Sequence, residues 1–251
     1  MILPPLRTHT MGQQFWYYPS CRSTNHIAQQ LIQNQEASPG AVILSDYQTE
    51  GRGQQANRWE SAAGQNLTFS LVLYPAMPID QQFYLTIMAS LAVADTLNAY
   101  LSEKCTIKWP NDILRESNKI CGILIQNNLK GNQIHTTVVG IGLNLNQTDF
   151  AVPCATSLAL LTGKSHDRAS VLATLLQHLE TRYEQWQAGA LSTLKKDYLQ
   201  RMHWRDEPHY FEDERGTFRG TILGIDAHGR LALESEGHIC YYDAKQIVYK
   251  F

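Results

Sequence analysis

The sequence predicts an α+β fold, and three observations carry that reading. Strand-like runs are mixed with a few helical periods rather than alternating with them one for one, which argues against a strict βαβ succession. The C-terminal stretch breaks into short apolar runs separated by turn residues. Hydrophobic residues make up 43% of the 251 and charged residues 18%, enough apolar material for a sizeable core and too little charge for a disordered chain.

Taken in order, Ser23-Thr24-Asn25 supplies residue types that favour a helix N-cap, and Ile27, Ala28, Leu31 and Ile32 follow at helical spacing, so a helix is expected over about 25–34. Strands are expected over 41–47 and 67–74, separated by a polar stretch, 48–64, that is long for a structureless connection. Phe83, Ile87, Leu91, Ala94 and Leu97 put a buried helix over 80–102. Strands follow over 106–109, 119–126 and 135–145, with Glu116-Ser117-Asn118 as the turn that opens the second. Leu172, Leu175, Leu176 and Leu179 mark a helix over 169–186, and a further helix spans 190–202. The composition changes at the acidic, Pro208-containing segment 203–215, which divides the chain into expected domains 1–205 and 206–251. Beyond it, strands over 216–225, 230–234 and 238–242 form a small β-barrel of SH3 type.

Charge and cysteine usage narrow the function classes. Lys and Arg total 21 against 23 Asp and Glu, so the net charge is −2, and the strongly basic surface of a general nucleic-acid binder is missing. Five widely spaced cysteines form no CxxC pair and the histidines no HExxH, so no metal site built from protein Cys or His is expected. No apolar run is long enough for a membrane helix and no basic-then-apolar leader opens the chain, which points to a cytoplasmic address.

Three glycine-containing segments are candidate phosphate cradles. Gly163-Lys164-Ser165 lacks the glycine five residues earlier, where Leu158 stands, and Gly140-Ile141-Gly142 has no third glycine or following helix. Gly51-Arg52-Gly53, with Arg58 and Trp59 after it, combines close backbone approach with guanidinium forks that match phosphate oxygens, although a solvated surface loop explains it equally well. Lys108-Trp109-Pro110-Asn111-Asp112 is more than a turn, since a turn does not account for the Lys-Trp before it. In Lys119-Ile120-Cys121-Gly122-Ile123-Leu124, a glycine inside an apolar strand weakens it unless a ligand or backbone comes close, and taken singly the run is explained by core packing as well.

The ordered series Ser23-Thr24-Asn25, Gln48 before Gly51-Arg52-Gly53 with Trp59, KWPND at 108–112, Lys119-x-x-Gly122-Ile123-Leu124 and Gly140-Ile-Gly142-Leu-Asn144-Leu-Asn146 strongly resembles the biotin-protein ligases. That resemblance implies a class II synthetase-like catalytic domain with a mixed, mainly antiparallel sheet, and an ATP-dependent enzyme that forms biotinyl-5′-AMP and passes biotin to a lysine of a biotin carboxyl carrier domain. ATP with Mg2+ and biotin are the implied ligands, and the missing room ahead of Ser23 implies the ligase-only form that does not bind DNA; a homodimer is left open. By the same match Lys119, Arg52 and Lys108 would be the catalytic cations. Ser23, Thr24, Asn25, Gln48, Gly51, Arg52, Gly122 and Leu124 would hold biotin. Arg52, Arg58, Trp59, Asn111, Asp112, Lys119 and Asn144 would hold the nucleotide or adenylate. Two positions depart from the family pattern, Gln54 in place of a second loop arginine and Gln126 in place of a glutamate. The competing expectations are a lipoate or octanoate ligase or transferase of the same architecture, and a non-catalytic biotin-binding module.

Overall fold

A computed structural model describes residues 4–54 and 58–251, so Gln55, Ala56 and Asn57 of the glycine-rich segment lie outside the described residues. The larger layer is an eight-stranded sheet. It is built from β1 (Phe15–Tyr18), β2 (Val42–Ser45), β3 (Leu67–Leu73), β4 (Met77–Pro78), β5 (Thr106–Lys108), β6 (Asp112–Arg115), β7 (Asn118–Lys130) and β8 (Gln133–Leu143). The path is β1-β2-β3-β8-β7-β6-β5, with β4 also pairing with β8. Every pairing is antiparallel except β1 with β2. That pair, joined through α1 (Thr24–Gln33), is one βαβ unit at the sheet edge that the sequence pattern did not disclose. Its aromatic run Phe15-Trp16-Tyr17-Tyr18 lacks the alternation by which a half-buried strand is recognised.

The expected helices are present with shifted ends. The helix foreseen over 80–102 is α2 (Phe83–Asn98), preceded by a 3-10 turn at Ile79–Gln81. It is apolar on almost all sides because it lies buried between the sheet and α4 (Arg168–Gln187). Asp167 caps α4 by accepting the Ser170 N–H, and α5 (Leu191–Gln200) packs beside both helices. A short α3 (Leu158–Thr162), capped by Ser157, lies between the strand expected to end at 145 and the helix expected from 169, where the sequence pattern assigns no element. Among the described residues no helix is long and apolar enough to cross a membrane.

The second layer is a five-stranded antiparallel sheet of β9 (Pro208–Asp213), β10 (Gly216–Ile225), β11 (Leu231–Ser235), β12 (His238–Tyr242) and β13 (Val248–Tyr249), in the order β12-β11-β10-β9-β13, in keeping with a small barrel-like unit. The acidic stretch 208–213 is a strand rather than a linker. Its inner face is secured by Phe211, fully buried despite charged neighbours in sequence. The two layers are stitched together where the Trp109 indole N–H donates to the Gly229 carbonyl at 2.8 Å. The segment that joins α5 to β9 is tied to β5, since the Ile107 N–H donates to the Arg201 carbonyl and the Ile107 carbonyl accepts from the His203 N–H.

Candidate active site

A cavity of about 320 Å³ opens above the middle of the large sheet. The start of α1, the loop after β2, the β5–β6 corner, β7, β8 and the strand β13 all reach it. Of the residues singled out from sequence, Ser23, Thr24, Asn25, Gln48, Arg52, Arg58, Trp59, Lys108, Asn111, Asp112, Lys119, Gly122 and Leu124 line it together, although they come from segments far apart in the chain.

Lys119 owes its direction to a bulge. In an unbroken strand, residues three apart point to opposite faces. Here Ile113 faces Cys121 while Leu114 faces Lys119, leaving Ile120 as an extra residue that shifts the phase by one. The Lys119 side chain is thereby laid over Gly122, where an added Cβ would stand 3.1 Å from its Nζ. The bulge is held from outside the sheet: the Lys119 N–H donates to the Cys154 carbonyl at 2.7 Å, and the Lys119 carbonyl accepts from Thr156 at 2.9 Å. Asp112 receives the ammonium at 2.6 Å. Of the Asn111-Asp112 pair read from sequence as turn chemistry, Asn111 lies in the turn, whereas Asp112 opens β6 and is a counter-charge inside the cavity.

The glycines form a floor. Gly122 and Gly142 face each other across β7 and β8, and Leu124 faces Gly140. A Cβ at Gly142 would lie 2.3 Å from the Trp59 indole, and one at Gly140 would lie 2.4 Å from Asn25 Oδ1. The Gly-x-Gly that fails as a dinucleotide fingerprint therefore serves close approach by two side chains, and its role follows from pairing that local sequence does not reveal.

At the other end the cavity is polar. Gln48 Oε1 accepts from the Thr24 backbone N–H at 2.7 Å and from its hydroxyl at 3.1 Å. Ser70, fully buried in β3, sits 2.8 Å from Thr24 Oγ1 and donates to Asn25 Oδ1 at 2.6 Å, while the Asn25 amide donates to Gln126 Oε1 at 3.0 Å. Ser70 was not foreseen; its signal is a hydroxyl, one of two with Thr68, in a wholly buried strand. Gln126 retains the acceptor that a carboxylate would provide at that position.

Other side chains support the cavity wall. The Asn111 side chain donates to the Ile123 carbonyl and pins the β5–β6 corner to β7. Gly51 is buried, with room for no side chain between the Trp59 carbonyl and the Gln48 amide. Asn144 does not line the cavity: it is 4% exposed, and its side chain donates to the Thr156 carbonyl at 3.0 Å. The loop closes on itself through the Trp59 N–H to Gly51 carbonyl bond and the Arg52–Arg58 bridge, so it is not the open excursion that its length suggests. Burial pulls the Lys108 ammonium below its usual pKa, with Lys119 adding to the shift and Asp112 opposing it. From β13 and the segment before it, Ala244, Ile247, Val248 and Tyr249 complete one wall, a contribution with no local sequence signal.

A glycine-floored cleft on a mixed sheet, with a lysine at its centre, amides at one end and guanidinium groups over its mouth, defines a class of α+β protein that can hold a small acid against a phosphate group. The chain belongs to the biotin/lipoate A/B protein ligase family, whose sequence profile matches residues 17–144. It is 33% identical over 235 residues to the bifunctional ligase/repressor of Bacillus subtilis, covering 92% of this chain and 72% of that one. It is 31% identical to the biotin--[acetyl-CoA-carboxylase] ligase of Mycobacterium tuberculosis, covering 84% and 79%. Among solved structures, the biotin protein ligase from Aquifex aeolicus in complex with biotin and ATP shares the fold with a TM-score of 0.78 at 24% identity, over 95% of this chain and 99% of that one.

Proposed function

We propose that the chain is an ATP-dependent ligase that activates biotin as biotinyl-5′-AMP and transfers the biotinyl group to a lysine of a biotin carboxyl carrier domain. The observation that carries this reading is Lys119 laid over Gly122 in the centre of the cavity, between the amide end and the guanidinium-bearing loop. Two anions, a carboxylate and an α-phosphate, repel one another, and a fixed cation at their meeting point offsets that repulsion without reorganisation. A biotin carboxylate oxygen attacks the α-phosphorus and the bond to pyrophosphate breaks. The carrier amine, as free base, then attacks the acyl carbon, the C–O bond to phosphate breaks, AMP leaves, and the nitrogen gives up a proton to solvent as the amide forms.

In this reading Thr24, Gln48 and the Asn25–Ser70 pair form the polar end that holds the ureido ring, and Leu124 packs on the apolar ring and chain. The amide groups of that end match the N–H and C=O of a ureido ring and so favour biotin over lipoate, whose dithiolane offers them neither. Trp59, Arg52 and Arg58 cover the nucleotide side, and Lys108 is a second cation there. Asp112 is the single carboxylate that lines the cavity among the described residues, and no group of three or more His, Cys, Asp or Glu there is placed to hold a metal ion. Mg2+ would therefore enter bound mainly by the phosphates, as is usual for that ion. Residues 1–205 would form the catalytic unit and 206–251 the small β unit.

Incubating the protein with MgATP and either biotin or lipoate, and reading pyrophosphate release and enzyme-bound adenylate by mass spectrometry, tests the reading. Biotinyl-AMP with biotin alone is the expected result. Lipoyl-AMP formed in preference, or no adenylate with either acid, overturns it.

A further inference from the structure

The cavity's two lysines are held in opposite ways. Lys119 is matched by a carboxylate, with Nζ 2.6 Å from Asp112. Lys108 makes no ion pair among the described residues. Its Nζ instead lies 5.1 Å from the ring centroid of Tyr249 and 4.9 Å from that of Phe251, within the range at which an aromatic face attracts a cation. Tyr249 ends β13 of the second sheet and Phe251 follows two residues on, whereas Lys108 closes β5 of the first. Phe251 is in turn stacked on His203, with centroids 5.9 Å apart, and meets Trp204 at a tilt of 45° and 4.7 Å, both in the segment between the two sheets, and Tyr249 is 7% exposed. The other charged or titratable groups near Lys108 are Asp112, Lys119, Cys154 and His203.

A carboxylate partner would neutralise an ammonium and compete with an incoming anion. An aromatic face fixes the ammonium while leaving its charge uncancelled, because the quadrupole attracts it without carrying net charge. We propose that Tyr249 and Phe251 are positioning residues, which hold the Lys108 ammonium at the cavity wall by their ring faces so that its full charge meets the polyphosphate of the nucleotide. The second sheet then contributes to the chemistry through Lys108, and the biotin end of the cavity is untouched by it. This inference rests on the ligase reading above.

The test is a double-mutant cycle on the full chain, read as pyrophosphate release with ATP and biotin each varied. Tyr249→Leu and Phe251→Leu should each raise KM for ATP about three- to ten-fold, the size of a lost cation–π contact, and leave KM for biotin unchanged. Tyr249→Phe, which keeps the ring, should behave as the wild type. In a Lys108→Met background neither leucine substitution should add anything. Equal losses in the Lys108→Met background, or a matching rise in KM for biotin, would mean that the rings only build the wall, and would overturn the proposal. If Tyr249→Leu does not fold, Phe251→Leu carries the same cycle, since that ring is 57% exposed. A wild-type chain that forms no biotinyl-AMP overturns the ligase reading itself, whereas a wild type that forms it with additive losses overturns this inference alone.

Discussion

The Trp59 indole rests directly on Gly142, so closely that the smallest possible side chain at that glycine would stand 2.3 Å from its Cε2 atom. Gly142→Ala should therefore displace the indole and with it the loop that runs from Gly51 to Trp59. Overpacking at a site of this kind costs about 1–3 kcal/mol, and here the half-buried indole gives way before the paired strands β7 and β8 do. The expected outcome is a near-native Tm with biotinyl-AMP dissociating at least about ten times faster, measured by stopped-flow tryptophan fluorescence. Wild-type release kinetics would count against the indole as a cover for the intermediate.

Lys119→Ala removes the cation from between two anions and leaves Asp112 without its partner. Adenylate formation should fall by about a hundred- to a thousand-fold, the usual cost of a lost electrostatic stabiliser, while circular dichroism stays unchanged because the bulge is held by backbone bonds. Single-turnover formation of biotinyl-AMP is the measurement, and a rate within a few-fold of wild type would sink the assignment.

Gln126 is a departure from the family pattern that the structure makes intelligible. Gln126→Leu deprives the Asn25 amide of its acceptor, and a buried donor left unpaired costs about 1–3 kcal/mol. KM for biotin should rise about ten-fold, since Asn25 is then free to turn away from Ser70. Gln126→Glu preserves the acceptor and should leave KM for biotin close to wild type; steady-state kinetics on both variants decides.

His203 makes stability depend on pH. It is buried between the layers, with Nδ1 2.9 Å from the Thr106 hydroxyl and Nε2 unpartnered, and burial holds its pKa down at about 4. Since the folded pKa lies below the unfolded value near 6.5, the native state favours neutral imidazole. Its contribution is fully present above about pH 6.5 and is lost as the pH falls toward 4, on the order of 3 kcal/mol in all. Thermal melts from pH 7 to pH 4 should show a fall in Tm that is shallower in His203→Asn. Parallel curves for the two proteins would remove His203 from that account.

Most of the larger sheet and nearly all of the candidate site were legible in the sequence. The legible part is local: Lys108 to Asp112 and Lys119 to Leu124 each carry unusual chemistry within a few residues, and α1, α2 and α4 announce themselves by period. What escaped is defined by pairing at a distance. β1 is short, aromatic and parallel, β6 hides behind turn-forming residues, and β13 is two residues long. Asn144 was placed at the nucleotide by motif order alone, yet its amide serves the Thr156 carbonyl. Ser70 and Tyr249 reach the cavity region only because the sheets bring distant segments together, and a one-dimensional pattern does not record that.

The backbone bonds around the Ile120 bulge set where this chain tolerates changes in length. Between Asn144, whose N–H donates to the Ile120 carbonyl, and Cys154, whose carbonyl receives the Lys119 N–H, the chain makes an excursion that could gain or lose residues at its outer part, where Val152 is 57% exposed, without disturbing either end. A single deletion between Cys154 and Thr156 is another matter. It would slide the paired segment by one register, exchange the groups offered to Lys119, and swing the ammonium off its glycine even though every residue of the cavity remained in place.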